Sequence, residues 1–306
     1  MSNDALSRVK VDIAIIGRRS TIGVLLFAKG SQLECIDLGK WYGTRVRGSI
    51  LQLGRRRVLF IPRNGDKRLE IPPAVVPYKA IIEALFRAGV HRVIGLSSVG
   101  AITRYSIGDI VIPDDFIDFT SRYLSFFDSR GSAFVRMNPP FCPVLRQALI
   151  KGCKLSNKSC RDSATYICVD GPRYETPSEI RLFARMGADI VGMTIVPEAI
   201  LCRERALCYA ALCVVTNYAE GTIEYIPNAG TEGLVPMSER AQRNGVHQSV
   251  IDVLTKAVEN LPASRSCLCK ASLEEAFLDG SLPPKLVRFF KKNEKETKRS
   301  GSAYQR

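Results

Sequence analysis

The sequence predicts an α/β fold in which a largely buried central sheet is flanked by helices. Apolar segments of strand length alternate along the chain with segments of helical periodicity, and this alternation is typical of α/β architecture. The 306 residues are 46% hydrophobic, which is ample for a well-buried core. A mainly disordered chain is therefore excluded.

The predicted strands are short apolar runs, many of them rich in β-branched residues. They occupy residues 9–16, 58–61, 93–96, 110–112, 164–169, 190–193 and 207–216. Helical periodicity covers residues 75–88, 142–151, 177–186, 196–204 and 238–260. Pro177 and Pro197 fall in first turns, where a missing backbone N–H is tolerated. Because ligands gather at the carboxyl ends of strands in such sheets, functional residues are expected just after the strands.

One domain, residues 1–262, is expected because no linker or break in composition precedes Leu261. Residues 263–306 are expected to form a basic C-terminal extension that is partly helical or disordered. Its last part, residues 285–306, holds eight Lys and Arg residues against Glu294 and Glu296. We interpret this tail as a solvated extension, with contact to nucleic acid or an anionic surface as the alternative.

Apolar runs in the chain fall short of the roughly 18 residues that a membrane span needs. The first five residues also lack the basic and apolar pattern of a secretory signal. We therefore expect no membrane span and a cytoplasmic protein, with the nucleus as a second compartment.

The ten cysteines do not resemble a disulfide framework. Cys168, Cys208 and Cys213 stand in apolar runs, where a free thiol behaves as a small hydrophobe. The pair Cys267 and Cys269 is expected in an exposed segment. The chain has no Cys-x-x-Cys pair and only two histidines, which are distant in sequence, so no metal site is expected.

Three turns after predicted strands combine arginine with small or hydroxylated residues: Arg18-Arg19-Ser20, Arg63-Asn64-Gly65 and Ser97-Ser98-Val99-Gly100. Backbone N–H groups, hydroxyls and guanidinium groups together suit a phosphate-like oxyanion. Neither a Walker motif nor a dinucleotide fingerprint accompanies them.

In their order along the chain, these pieces resemble the trimeric purine nucleoside phosphorylases, and within them the branch that includes methylthioadenosine phosphorylase. The resemblance spans roughly residues 9–218 and is strongest in the blocks PRNG at 62–65, GLSSVG at 95–100, GDIVIPDDFID at 108–118, GPRYETPSEIR at 171–181, GADIVGMTIVPEA at 187–199 and TNY at 216–218. It implies a single-domain phosphorylase-type sandwich with a mixed central sheet, and a homotrimer. It also implies phosphorolysis of a purine nucleoside, with inorganic phosphate as co-substrate and no cofactor.

The resemblance also implies the residues of the phosphate and ribose sites. Phosphate would be bound by Ser20, Arg63, Asn64, Ser98 and Thr194, with Arg63 bidentate, Ser98 giving its backbone N–H and Thr194 its hydroxyl. Met193 would lie beneath the ribose. An oxocarbenium-like transition state needs such an anion on one face of the sugar and a hydrogen-bonded base on the other.

The base site implied by the resemblance contains Tyr174, Glu175 and Asn217, with Tyr174 stacked on the base. Methylthioadenosine phosphorylases usually have a small hydroxyl residue in place of Glu175 and Asp in place of Asn217, whereas 6-oxopurine phosphorylases have Glu and Asn. A 6-oxopurine offers an N1–H donor to Glu175 and acceptors to the Asn217 amide, and adenine reverses that polarity. Hypoxanthine or guanine nucleosides are therefore expected, with Asn217 as the catalytic residue that supports protonation of the leaving group at N7.

The 5′ pocket is expected at residues 233–237, where Val235 and Met237 are apolar and histidine is absent. Nucleoside-type members meet the 5′-hydroxyl with a histidine, so this segment favours a methylthio substituent. The same two residues would also suit plain core packing, so inosine, guanosine and 5′-methylthioinosine all stay open as substrates.

The chain departs from the family pattern in two places. Arg18 and Arg19 replace small residues of the first turn, and Asn64 replaces the family's histidine. The two arginines either supply the positive charge that Asn64 lacks or fill the anion site. Three hypotheses follow: an active phosphorylase, a catalytically impaired paralogue that binds purines or partner subunits, and a nucleic-acid binder that uses the basic tail.

Overall fold

A computed structural model describes residues 11–18, 34–65, 71–127, 133–222 and 246–278, together with Gly280, Leu282 and Val287. Within this part of the chain, eleven strands join one mixed sheet. They are β1 (Ile13–Gly17), β2 (Glu34–Trp41), β3 (Thr44–Leu53), β4 (Arg56–Pro62), β5 (Arg92–Ala101), β6 (Ile110–Val111), β7 (Asp115–Asp118), β8 (Cys160–Arg161), β9 (Thr165–Cys168), β10 (Ile190–Gly192) and β11 (Cys208–Tyr218).

Strand β5 is the centre of the sheet, because it pairs with three neighbours. It runs parallel to β1 and β11 and antiparallel to β10. The main path is β2-β3-β4-β1-β5-β10-β9-β7, and β11 leads from β5 to β6 and then to β8. Because β1, β4, β5 and β11 are parallel, their carboxyl ends meet at one edge.

The longer helices begin and end within a few residues of the predicted bounds. They are α1 (Tyr78–Arg87), α2 (Pro143–Leu155), α3 (Pro177–Arg185), α4 (Ile195–Arg203) and α5 (Val246–Glu259), with a short α6 (Glu274–Leu278). The first predicted helix is divided at Pro77, since Pro73–Val75 form a separate 3-10 turn. Helix α3 begins with a capping box between Thr176 and Glu179. Of the last predicted helix, residues 238–245 lie outside the described ranges.

The sheet is covered on both faces by helices, which confirms the predicted α/β fold with a mixed central sheet. Alternate residues of β1 enter different cores: Ala14 and Ile16 pack into one, and Ile13 and Ile15 into the other. Helices α1 and α4 contribute to the first core, and α2 and α5 to the second. The sequence prediction missed β2, β3, β7 and β8. In the edge strand β2, charged residues interrupt the apolar ones, and most side chains are only partly buried or exposed.

The C-terminal segment contacts the second core through Cys267 and Cys269, which are 6% and 3% exposed. The prediction that these two residues lie in an exposed segment is therefore wrong. Cys168, Cys208 and Cys213 are buried, as predicted. The boundary at residue 262 stays a prediction, and apart from Val287 the basic tail 285–306 lies outside the described ranges. Among the described helices, none has the length and apolar character to cross a membrane.

Candidate functional site

A cavity of about 150 Å³ opens at the edge where the parallel strands end. The predicted site residues that the structure describes all line it: Arg63, Asn64, Ser98, Tyr174, Glu175, Met193, Thr194 and Asn217. Ser20 and the 5′-pocket residues Val235 and Met237 lie outside the described ranges, as does Arg19. The residues that were expected to be functional because they follow the strands therefore line one polar cavity at the edge where the parallel strands end.

A larger hollow of about 670 Å³ lies near the amino-terminal ends of β1 and β4. Its lining residues are Val11, Asp12, Arg55, Arg56, Arg57 and Glu259. Two of its guanidinium groups already have partners, since Arg57 pairs with Glu34 and Arg56 donates to the Leu261 carbonyl. None of the predicted site residues lines this hollow, so the smaller cavity is the better candidate.

Arg63 follows β4 and is 2% exposed. Its Nε and Nη2 both donate to the carboxylate of Glu198, with an Nη2–Oε2 distance of 3.1 Å. Nη1 donates to the Leu96 carbonyl at 2.8 Å and Nη2 also donates to the Ile16 carbonyl at 3.3 Å. Burial opposes the charged form of Arg63, but Glu198 overcomes this and raises the pKa above its ordinary value.

These contacts bear on the predicted role of Arg63. The family resemblance implies a bidentate phosphate contact, whereas four of the five N–H donors of the guanidinium are directed at Glu198, Leu96 and Ile16. One N–H of Nη1 has no acceptor among the described residues. A bidentate contact would require Arg63 to give up one of its present acceptors, and its phosphate-binding role stays a prediction.

Glu198 is a structural partner that the sequence prediction did not single out. It lies on α4, is 1% exposed, and also accepts a hydrogen bond from the Tyr209 hydroxyl at 2.7 Å. Gly95 leaves room for the hydrogen bond between Glu198 and Tyr209. A Cβ at this position would lie 2.9 Å from Glu198 Oε2 and still closer to the Tyr209 hydroxyl. The available signal was one carboxylate among the apolar residues of the first two turns of α4, the pattern of a buried charge that needs a partner.

Arg18 lines the cavity beside Arg63. Burial, and then the charge of Arg63, lowers its pKa, while Tyr174 acts in the opposite direction. Within the described ranges Arg18 forms no ion pair with a carboxylate. The cavity therefore contains one cation that is neutralised by Glu198 and a second, Arg18, whose charge is available to an anion.

The amino-terminal end of α4 also faces the cavity through Thr194. This residue caps the helix, but its side chain makes no capping hydrogen bond, and its Oγ1 lies 3.4 Å from Ser97 Oγ. The first-turn N–H groups of a helix and its dipole favour an anion at such a position. Asn64 donates from Nδ2 to the Ile71 carbonyl at 2.7 Å, which leaves its second amide hydrogen for another acceptor.

The other end of the cavity contains Glu175, whose Oε1 is buried with no hydrogen-bond partner in the described part of the chain. Burial, above all, raises the pKa of this carboxyl, and the charges of Glu179 and Glu220 act in the same direction. A buried acceptor without a partner is costly. Glu175 is therefore suited to a ligand that supplies an N–H or O–H donor.

Asn217 lies at a bulge near the end of β11. Its Oδ1 accepts from the Thr216 hydroxyl at 3.2 Å, and its Nδ2 donates to the Tyr218 carbonyl at 3.0 Å. The Thr216 hydroxyl thereby orients the amide, and one N–H of Nδ2 stays available among the described contacts. Tyr174 lies beside this end with 56% of its surface exposed.

Met193 lies on the floor of the cavity after β10. Glycine is favoured at position 171 for two reasons. Its φ of +65° lies in the left-handed region, and a Cβ there would collide with the Met193 sulfur. Arg122 fixes the backbone at this point by donating to the carbonyl groups of Met193, Val169 and Pro73. The sequence prediction missed Arg122 because these acceptors are distant along the chain.

The cavity thus has two chemically different ends joined by an apolar floor. One end has Arg18, one N–H of Arg63, the amide of Asn64 and the capping end of α4, and it can hold an anion. The opposite end has a Glu175 oxygen with no partner among the described residues, an oriented amide and an exposed aromatic ring, and it can hold a polar planar group.

Comparisons with known proteins show the family to which the chain is similar. The model of the phosphorylase superfamily matches residues 37–263. A probable S-methyl-5′-thioinosine phosphorylase of Methanopyrus kandleri is 39% identical over 77% of this chain and 89% of that protein. An S-methyl-5′-thioadenosine phosphorylase of Thermofilum pendens is 39% identical over 74% and 84%. The crystal structure of a methylthioadenosine phosphorylase from an antarctic soil metagenomic library superposes with a TM-score of 0.74 at 28% identity, covering 87% of this chain and 91% of that one.

Proposed function

Because this chain belongs to the phosphorylase superfamily, we propose that it is a pentosyltransferase that cleaves purine nucleosides with inorganic phosphate. The products are a free purine and ribose 1-phosphate or its 5-methylthio counterpart, as in purine salvage. The observation that carries the proposal is the pairing, in one cavity, of a site suited to an anion with a buried, unpartnered Glu175 beside the oriented Asn217 amide.

The base is a 6-oxopurine. Overall identity does not separate the base classes, since relatives named for thioinosine and thioadenosine are equally similar to this chain. The polarity of the cavity supports a 6-oxopurine, because an ionised Glu175 would accept from N1–H and the spare N–H of Asn217 would donate to N7 or O6. Adenine offers an acceptor at N1 and would leave the carboxylate without a donor.

The anion is held mainly by Arg18 and the amino-terminal end of α4. Arg63 contributes one N–H and is kept in place by Glu198, while Thr194, Ser98 and Asn64 complete the site, joined by Ser20 as the resemblance implies. Phosphate below the sugar and a hydrogen-bonded base above it would stabilise both ends of an oxocarbenium-like transition state. Inorganic phosphate is a co-substrate, and no cofactor takes part in this scheme.

The sugar lies over Met193, and its 5′ substituent faces Val235 and Met237. A methylthio group suits these two apolar side chains, so 5′-methylthioinosine is included beside inosine and guanosine. We also propose a cytoplasmic homotrimer, as the family resemblance implies.

The test is a substrate panel with purified protein, in the presence and absence of phosphate. Inosine, guanosine, adenosine and their 5′-methylthio counterparts are compared by release of free base. We expect release that depends on phosphate and a preference for the 6-oxo members. Absence of release at saturating phosphate, with thermal stabilisation by purines, would instead identify an impaired paralogue.

A further inference from the structure

Four cysteines from three separate parts of the chain meet in the second core. Cys142 precedes α2, Cys208 begins β11, and Cys267 and Cys269 stand at the start of the 3-10 turn Leu268–Ala271. All four are buried free thiols. Their sulfur atoms all lie within 4.8 Å of one another, and those of Cys208 and Cys267 are 3.3 Å apart.

This spacing is that of a single tetrahedral centre. A zinc ion with four thiolates at about 2.3 Å places the sulfur atoms about 3.8 Å apart, which falls between the observed distance of 3.3 Å and the limit of 4.8 Å. Cysteines that serve only as small hydrophobes have no reason to direct four sulfur atoms at one point. The structural class with four cysteines and no open position matches this set.

We propose that Cys142, Cys208, Cys267 and Cys269 form a structural site for a thiophilic divalent cation of the zinc class. The cation joins the C-terminal segment to the start of β11 and to the start of α2. Cys208 and Asn217 are nine residues apart on one strand, so roughly 30 Å separates the metal site from the base site. The site therefore acts on stability and does not take part in the reaction.

The proposal is tested on the full-length protein, purified without chelators and with thiols protected from air. Elemental analysis should find zinc at about one ion per chain, as a closed four-thiolate site requires. Cys269→Ser should lose most of this metal. Cys153→Ser is the matched control, because Cys153 is a buried thiol on α2 outside the cluster, and it should keep its zinc.

A second measurement needs no variant. Replacement of the bound metal by Co²⁺ in the wild-type protein should give the intense visible bands of tetrahedral thiolate coordination, and a strong chelator should lower the melting temperature. Metal-free reduced protein that melts at the same temperature with and without added zinc would overturn the proposal. So would disulfides among these four cysteines, detected by peptide mass spectrometry of freshly isolated, alkylated protein.

Discussion

The charge network beneath the anion end of the cavity and the polar groups that line the cavity differ in how far they are satisfied before any ligand arrives. In the network, Arg63, Glu198 and Tyr209 are joined so that each charge has a partner. In the lining, Asn64 Oδ1 at the anion end and Glu175 Oε1 at the base end have no hydrogen-bond partner in the described chain, and Asn217 keeps one N–H. The groups that support the site are therefore paired with each other, and the groups that line it are left for the ligand to pair.

The largest expected effect comes from breaking the closed network. Glu198→Ala should lower the free energy of unfolding by about 3–5 kcal/mol, because it leaves the buried Arg63 charge without a partner. Chemical denaturation measures this. Tyr209→Phe is the control, since it removes a single hydrogen bond and should cost about 1 kcal/mol. Equal losses for the two variants would contradict the distinction between charge pairing and ordinary hydrogen bonding in this network.

The base end should respond in specificity and not in stability. Asn217→Asp replaces an N–H donor by an acceptor, and should move the preference toward 6-aminopurines by at least about 10²-fold in relative kcat/KM. The measurement compares inosine and adenosine, and their methylthio counterparts, at saturating phosphate. A variant that keeps the original preference would show that Asn217 does not determine which base is preferred.

Substitution of Arg18 distinguishes the two explanations for the arginines of the first turn, namely that they supply charge to the anion or that they fill the anion site. If its charge serves the anion, Arg18→Ala should raise the KM for phosphate about tenfold, in line with the loss of one hydrogen bond to a charged group, and change the KM for nucleoside little. Arg18→Lys should restore part of the phosphate affinity. Tighter phosphate binding by the alanine variant would mean that Arg18 fills the anion site.

The smallest effect concerns the pH dependence of stability. Burial raises the pKa of Glu175, so the folded state binds this proton more tightly than the unfolded chain, whose carboxyl has a pKa of about 4.3. The contribution of Glu175 to the free energy of unfolding is therefore fully present when the pH is below the pKa of the unfolded chain. It is lost as the pH rises through the raised pKa of the folded state. Glu175→Gln should remove this decline in the free energy of unfolding, measured across the same pH range.

Glu179 provides the control of opposite sign. Hydrogen bonds from Arg173 and the Thr176 backbone lower its pKa to about 2, so its contribution is present above the ordinary pKa and is lost as the pH falls toward 2. Glu179→Gln should therefore flatten the acid side of the stability curve and leave the decline due to Glu175 in place. The same change in both variants would contradict the separate surroundings of the two carboxyl groups.

The sequence predicted the parts of this molecule that depend on local pattern. Apolar runs located the parallel strands, and the turns after them supplied the residues that line the cavity, because a strand end and its turn are adjacent in sequence. Edge strand β2 was missed because Glu34, Asp37 and Lys40 interrupt its apolar residues. The Arg63–Glu198 pair could not be predicted from spacing, because its partners are 135 positions apart.

The thiol cluster was missed for a related reason. Sequence rules for metal sites search for close pairs such as Cys-x-x-Cys, whereas here the strand order brings together Cys142, Cys208 and the pair at 267–269. Cys267 and Cys269 were expected in an exposed segment because no thiol or histidine ligand lies near them in the sequence, but the fold brings Cys142 and Cys208 to them.

Thr194 and Glu198 stand one helical turn apart on α4, whereas Glu175 directly precedes Thr176, the cap of α3. Substitutions in the loop before α3 should therefore change the base preference without altering the anion site. Substitutions in α4 would disturb both the anion site and the Glu198 contacts that hold Arg63. We therefore expect α4 to tolerate far fewer changes in a mutational scan.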